Sequence, residues 1–300
     1  MKRRGKPSTA KDRFFRALIA LALLGICAVV LVPILNLLAL SLSDPKRVSE
    51  VTGLTVIPRG FSTVVYRVLA SNQLFVRSIL NSVFITATGT AINLIVTSMA
   101  AFALTRNTLP FRRFFMLLVI VVMVLEPGLI PEYLVVKRIG LMNSLWSVIL
   151  YKTVNVYYLI ILMRFFEEVP PSLVEAALVD GAGYGTILWR VMLPLSAPAL
   201  ATLGLFYGVY HWNEYFRASI YLSDPDRYPL QLILRQFVVL DDTTTLIGSG
   251  AMMSYDEAAR LSYGALKAGT IVVAMLPVLF IYPLILKYYT KGVMEGGVKE

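Results

Sequence analysis

Four stretches of this chain run without a single Asp, Glu, Lys or Arg: residues 17–43, 78–105, 191–213 and 268–286. Each reaches, within a residue, the ~20 apolar residues that carry an α-helix across a ~30 Å hydrocarbon core. Two more apolar stretches, 114–131 and 139–163, are each broken by one charge, Glu126 and Lys152. A bilayer offers the backbone no water, so such stretches are confined to helices. The sequence therefore predicts an all-α polytopic membrane protein with six transmembrane helices. Composition agrees: 57% of residues are hydrophobic and 15% charged, and mean hydropathy is +0.72, far from the average soluble domain.

Charge placement orients the spans. A net charge of +10 raises nucleic acid as a partner, but the basic residues form no aromatic-interleaved groove. With both ends on one side, that side carries 15 Lys or Arg in 67 residues, against 11 in 98 on the other. Basic residues close to the membrane remain in the cytoplasm, and Lys2, Arg3, Arg4, Lys6, Lys11, Arg13 and Arg16 crowd the first span. Cytoplasmic N and C termini follow. Residues 1–40 resemble a signal peptide in having a basic head, but the apolar run is too long and lacks a small-x-small cleavage site; the expectation is an uncleaved first span. Cys27 is alone, so neither a disulfide framework nor a cysteine metal quartet is available. No phosphate-binding G-x-x-x-x-G-K-[ST] loop occurs. The expected layout is a cytoplasmic tail (1–16), one six-span domain (17–290) with a cytoplasmic loop (165–194) and an external loop (213–263), and a cytoplasmic tail (291–300). A short interfacial helix is expected near 62–70, and a fifth span launched at Pro194.

The cytoplasmic loop holds the most specific pattern. Pro170-Pro171-Ser172-Leu-Val-Glu175-Ala176-Ala177-Leu-Val-Asp180-Gly181 reads as a short, strongly delimited helix. Ser172 and Glu175 have capping-box spacing, and Gly181 stands where a left-handed stop is wanted. Ala176 and Ala177 leave a low profile for a partner's groove. After nine intervening residues come Val191-Met192-Leu193-Pro194. This spacing resembles the EAA loop of ABC importer permeases, whose loop helix couples to an ATPase subunit. The likeness extends through Asn81-Ser82 to Thr105-Arg106, Gly128 to Pro131, and Tyr228-Pro229-Leu230-Gln231, toward the carbohydrate branch and its alginate-type oligosaccharide importers. The ending Gly296-Gly297-Val298-Lys299 is similar to the tail of maltose-type second permeases, which reaches between the ATPases. The resemblance implies a type I ABC importer transmembrane fold in the cytoplasmic membrane of a bacterium. It implies as partners a second permease, two ATP-binding subunits holding ATP and Mg, and an extracytoplasmic binding protein delivering oligosaccharide. Under it, Ser172, Glu175, Ala176, Ala177, Asp180, Gly181, Leu193 and Pro194 couple to the ATPase. No cofactor, metal or catalytic residue is expected in this chain itself.

Ionisable groups at membrane depth are costly and mark cavities or partners. Lys152 and Glu126 reach similar depths on neighbouring predicted spans, so they either pair or leave Lys152 facing the translocation path, where it would favour acidic sugars. Asn155, three residues on, is expected on the same helical face. Trp212 and Asn213 close the fifth span as either a sugar contact or part of an interfacial aromatic belt. His211 is read as a satisfied interfacial residue. Glu214, Asp224, Asp226, Asp241 and Asp242 are read as a solvated loop or a docking surface. The alternatives are a secondary transporter or channel working alone, an ABC permease for a non-sugar solute, or a membrane enzyme. The first would call for broken helices in paired repeats; the last is opposed by the scarcity of His, Cys and paired carboxylates in the spans.

Overall fold

The computed structural model describes residues 10–125, 127–240 and 263–296. Among them the order is α1 (Ala10–Ser41), α2 (Val64–Ser71), α3 (Gln73–Thr105), α4 (Arg112–Val124), α5 (Leu129–Arg138), α6 (Leu145–Ile149) and α7 (Val156–Glu167). There follow α8 (Pro171–Val179), α9 (Tyr184–Leu195, with a π-turn at Leu188–Met192), α10 (Ala197–Trp212), α11 (Phe216–Tyr221), α12 (Leu230–Val239) and α13 (Tyr263–Gly296). The described residues contain one isolated β-bridge, Ser43 to Phe61, and are otherwise helix and turn.

Among the described residues, three helices are long and apolar enough to cross a membrane: Arg13–Ser41, Gln73–Thr105 and Tyr263–Ile281. Two bent pairs bring the number to five if each pair is one span. The α4–α5 pair turns by 117° and the α9–α10 pair by 86°. Each break has a local cause. Gly128, at φ +77°, precedes α5. At the second break Pro198 lacks an amide proton, and its ring clashes with the carbonyl four residues back, so the helix restarts at Ala197 and not at Pro194. The stretch 139–163 is also divided. α6 and α7 flank residues 150–155, where Lys152 adopts a left-handed φ of +50°.

The chain packs as two units. In the first (described residues 10–72 and 263–273), the most apolar window of α1 buries nothing and exposes Leu21, Leu24 and Val29. Asn36 Nδ2 donates to the carbonyls of Thr52 and Thr55 at 2.6 and 2.8 Å, pinning the following loop. Arg47 donates to both carboxylate oxygens of Glu50, and this hydrogen bonding holds the Glu50 carboxyl below its ordinary range. The expected interfacial helix is α2, which crosses α13 over Gly269; a Cβ there would stand 2.5 Å from Val65 Cγ1.

In the second unit (described residues 73–240 and 274–296), α3 and α10 lie antiparallel in close contact. Thr97 and Tyr207 share a 2.8 Å hydrogen bond between hydroxyls. One to two turns away Gly89 faces His211, and a Cβ on Gly89 would come within 2.5 Å of Nε2. His211 is buried, and neither ring nitrogen has a partner among the described residues, so it is held by packing and is not the satisfied residue expected. Gly89→Ala is expected to destabilise the fold by about 1–3 kcal/mol, the range for overpacking. His211→Ala should restore most of that loss, measured by thermal unfolding of the two single variants and the double variant. Independent, additive losses would show that the two positions do not collide.

Candidate functional site

The loop after α7 is built as a sharply stopped helix. Pro170 (φ −56°, ψ 127°) occupies the N-cap position and Pro171 the first helical one, where its fixed φ and missing N–H cost nothing. Ser172 is therefore the second helical residue and does not cap. The expected capping box with Glu175 does not form, because proline has already set the start. The stop is as expected. Asp180 closes the helix, Gly181 takes φ +78°, Gly181 N–H donates to Leu178 O at 3.0 Å and Ala182 N–H to Ala177 O at 2.9 Å. This pair of bonds is the Schellman arrangement, which satisfies the last carbonyls.

One face of α8 is held by the unit itself. Val174 is buried in the core that contains Phe102, Phe166 and Ile187, and Ala177, Ala182 and Leu193 pack against it. The other face is free: Glu175, Ala176 and Asp180 are exposed, and so is Val179, at 87%. Of the two alanines only Ala176 lies on the open surface; Ala177 seats the helix on its own domain. Leu193 is half-buried and Pro194 exposed, within α9 just before the 86° bend. α13 runs to Gly296, while Gly297, Val298 and Lys299 lie outside the described residues.

The residues expected on a substrate path fall apart. Lys152 is exposed in the α6–α7 break, its Nζ 5.7 Å from the Tyr151 ring, and it lines a cavity of ≈ 310 Å³ with Glu132 and Tyr151. Asn155 is not on a helical face with it. It is the N-cap of α7, its Oδ1 accepting from Tyr157 N–H and Tyr158 N–H at 3.0 and 3.4 Å. Depths counted along one continuous helix do not apply here, and Glu126 lies outside the described residues. Trp212 is buried and its indole N–H donates to Ala274 O at 3.0 Å. Asn213 is exposed, with Nδ2 bonded back to Val209 O. Glu214 belongs to no solvated loop: it is buried and accepts from Arg217 N–H at 2.9 Å. Asp224 and Asp226 pair with Arg227 and Arg77, while Asp241 and Asp242 lie outside the described residues.

A larger cavity went unread in the sequence. It measures ≈ 1060 Å³ and is floored by Ala87, Ala91, Gly204 and Gly208 of α3 and α10, with Tyr158 and Tyr210 at its walls. The hydroxyls of Thr86 and Thr90 line it without hydrogen-bond partners among the described residues. Tyr158 and Phe206 place two rings 5.6 Å apart along it. Small residues at this spacing read equally as helix packing, so only the unpartnered hydroxyls and neighbouring rings mark it as a site. Such a surface can stack a sugar face and bond its hydroxyls.

Residues 87–294 match the family described as the binding-protein-dependent transport system inner membrane component, and the chain belongs to that family. It is thus a membrane-embedded permease subunit, with ATP hydrolysis assigned to a partner chain. It is 38% identical over 289 residues to the polygalacturonan/rhamnogalacturonan transport system permease protein YtcP of Bacillus subtilis (strain 168), spanning 96% of this chain and 99% of that one. Protein LplC of the same organism is 36% identical over 292 residues, 97% of each chain. Among solved structures, one chain of a bacterial ABC transporter involved in the import of the acidic polysaccharide alginate matches with a TM-score of 0.86. It is 29% identical and is covered over 100% of its length by 95% of this chain.

Proposed function

We propose that this chain is one of two permeases in an ATP-driven importer for acidic oligosaccharides of the pectin or alginate kind. In this reading six spans cross a bacterial cytoplasmic membrane with both termini inside. The stretch 139–163 crosses as the broken α6–α7 pair. Two ATPase subunits carry ATP and Mg, and an extracytoplasmic binding protein delivers the sugar. The open face of α8, with Glu175, Ala176, Asp180 and Gly181, engages an ATPase, and the tail from Gly296 to Lys299 reaches the ATPase pair. The ≈ 1060 Å³ groove forms this subunit's half of the sugar path, and Lys152 meets uronate carboxylates at its own cavity. The observation that carries the reading is α8 itself, a helix stopped by Gly181 and seated through Val174 so that Ala176 and Val179 face outward. The nature of the sugar rests on what the relatives transport.

The test is reconstitution of the complex with its co-expressed neighbours and uptake of oligogalacturonate against a neutral oligosaccharide of equal length. Lys152→Met is expected to lower the preference for the acidic sugar roughly ten- to a hundredfold, the worth of a charge-assisted hydrogen bond at ~1.5–3 kcal/mol. Equal loss for both sugars would assign Lys152 to structure instead.

A further inference from the structure

The break between α6 and α7 is clamped from both sides of its centre. Lys152 adopts a left-handed φ of +50° there, a conformation uncommon outside glycine. Such strain persists where the surroundings over-determine the backbone. Before the lysine, the Tyr151 hydroxyl donates to Glu132 Oε1, in the first turn of α5, at 3.1 Å and accepts from Arg217 Nη2 of α11. After it, Thr153 Oγ1 donates to Leu150 O at 2.7 Å, and Asn155 N–H donates to the Tyr207 hydroxyl of α10 at 3.2 Å.

Tyr151 is the centre of the clamp. The Arg217 guanidinium carbon lies 4.1 Å from the Tyr151 ring centroid, and Lys152 Nζ lies 5.7 Å from the same centroid. Both cations therefore meet one ring, a contact that strengthens as it is desolvated. Arg217 is itself fixed, with Nη1 3.5 Å from an oxygen of the buried Glu214 carboxylate. Glu132, Tyr151 and Lys152 all line the ≈ 310 Å³ cavity. Lysine is a point charge on a flexible stem, so the place its charge reaches depends on where the stem starts. A tyrosine tied at both its ring and its hydroxyl fixes that start, in the way a supporting shell holds a binding group to its geometry.

We propose that Tyr151, held by Glu132 and Arg217, is the positioning residue that sets where Lys152 presents its ammonium in the cavity, and thereby sets the preference for uronate-bearing over neutral oligosaccharides. This rests on the reading under Proposed function, in which Lys152 meets the carboxylate.

The experiment uses the complete complex in proteoliposomes and reads one ratio, uptake of oligogalacturonate over uptake of a neutral oligosaccharide of equal length. Tyr151→Phe keeps the ring for both cations and deletes the hydroxyl. It should lower the ratio about fivefold, within the range of coupling between contacting residues. Glu132→Leu, at the other end of that hydrogen bond, should lower it alike, while Glu132→Gln, which keeps the acceptor oxygen, holds it at or above the native value. Adding Tyr151→Phe to Lys152→Met should lower the ratio no further than Lys152→Met alone, because the tyrosine acts through the lysine. A hydroxyl needed only for stability would cut uptake of both sugars together and leave the ratio unmoved. That result, equal effects of Glu132→Gln and Glu132→Leu, or a multiplicative fall in the double variant would overturn the proposal. If Tyr151→Phe does not assemble, the two Glu132 variants decide. A Lys152→Met complex with the native ratio would overturn the underlying reading, and this one with it. A lowered ratio there beside a native ratio in Tyr151→Phe would overturn the positioning role alone.

Discussion

Arginine at Ala176 is expected to abolish recovery of the ATPase subunits with this chain and to lower uptake by about two to three orders of magnitude. Ala176 is exposed on the open face of α8, and its neighbour Ala177 is seated against the unit's own core. A guanidinium there would carry an uncompensated charge into the surface proposed to engage the ATPase, and an unpaired buried charge costs about 3–5 kcal/mol. Each ~1.4 kcal/mol is a factor of ten in affinity. The fold should survive, since the side chain points away from Val174 and Phe166. The informative comparison is Ala177→Arg, which drives the charge into this chain's own core and should lower its thermal stability as well. Gel filtration of the detergent-extracted complex, followed by uptake in proteoliposomes, reads both. Full retention of ATPase with Ala176→Arg would remove α8 from the interface.

Filling the groove should be as severe and leave assembly intact. Ala91 is exposed on its floor and Gly208 sits opposite, with an added Cβ only in ordinary contact at 3.7 Å from Thr90 Oγ1. Ala91→Trp adds an indole to a ≈ 1060 Å³ space without colliding with backbone. Uptake is expected to fall to background while ATPase recovery and basal hydrolysis persist. Ala91→Ser, which adds a hydroxyl and little volume, should transport normally. If the tryptophan variant transports at the native rate, the groove faces lipid and the sugar passes elsewhere.

What the sequence made legible is what simple physics enforces locally. Uninterrupted runs such as 78–105 became α3 because a bilayer leaves an apolar run little alternative to a helix, and Gly181 became the left-handed stop because glycine adopts that conformation without strain. Where two local signals competed, the reading failed. Ser172 and Glu175 had the spacing of a cap, but Pro171 at the first helical position pre-empted it. The run 191–213 looked continuous because hydropathy does not register Pro198 acting on the carbonyl four residues earlier. Asn155 looked like a polar residue on a helical face; only the backbone break at Lys152 turns it into a cap. The groove was beyond sequence altogether, since Ala87, Ala91, Gly204 and Gly208 carry the same pattern whether they pack against a helix or floor a cavity.

The break between α6 and α7 bears on the thickness of the barrier. α7 has 12 residues, about 18 Å of helix at ~1.5 Å per residue, which falls well short of the ~30 Å hydrocarbon core. Beyond its Asn155 cap the backbone is unwound, and unwound backbone at membrane depth survives only against protein or water. In the proposed crossing of 139–163, the helical part of this element would end where α7 begins, with Tyr157 and Tyr158 directly after the cap. In that reading a polar solute crossing beside α7 would leave water over little more than half the width of the lipid, a distance set by the length of one short helix.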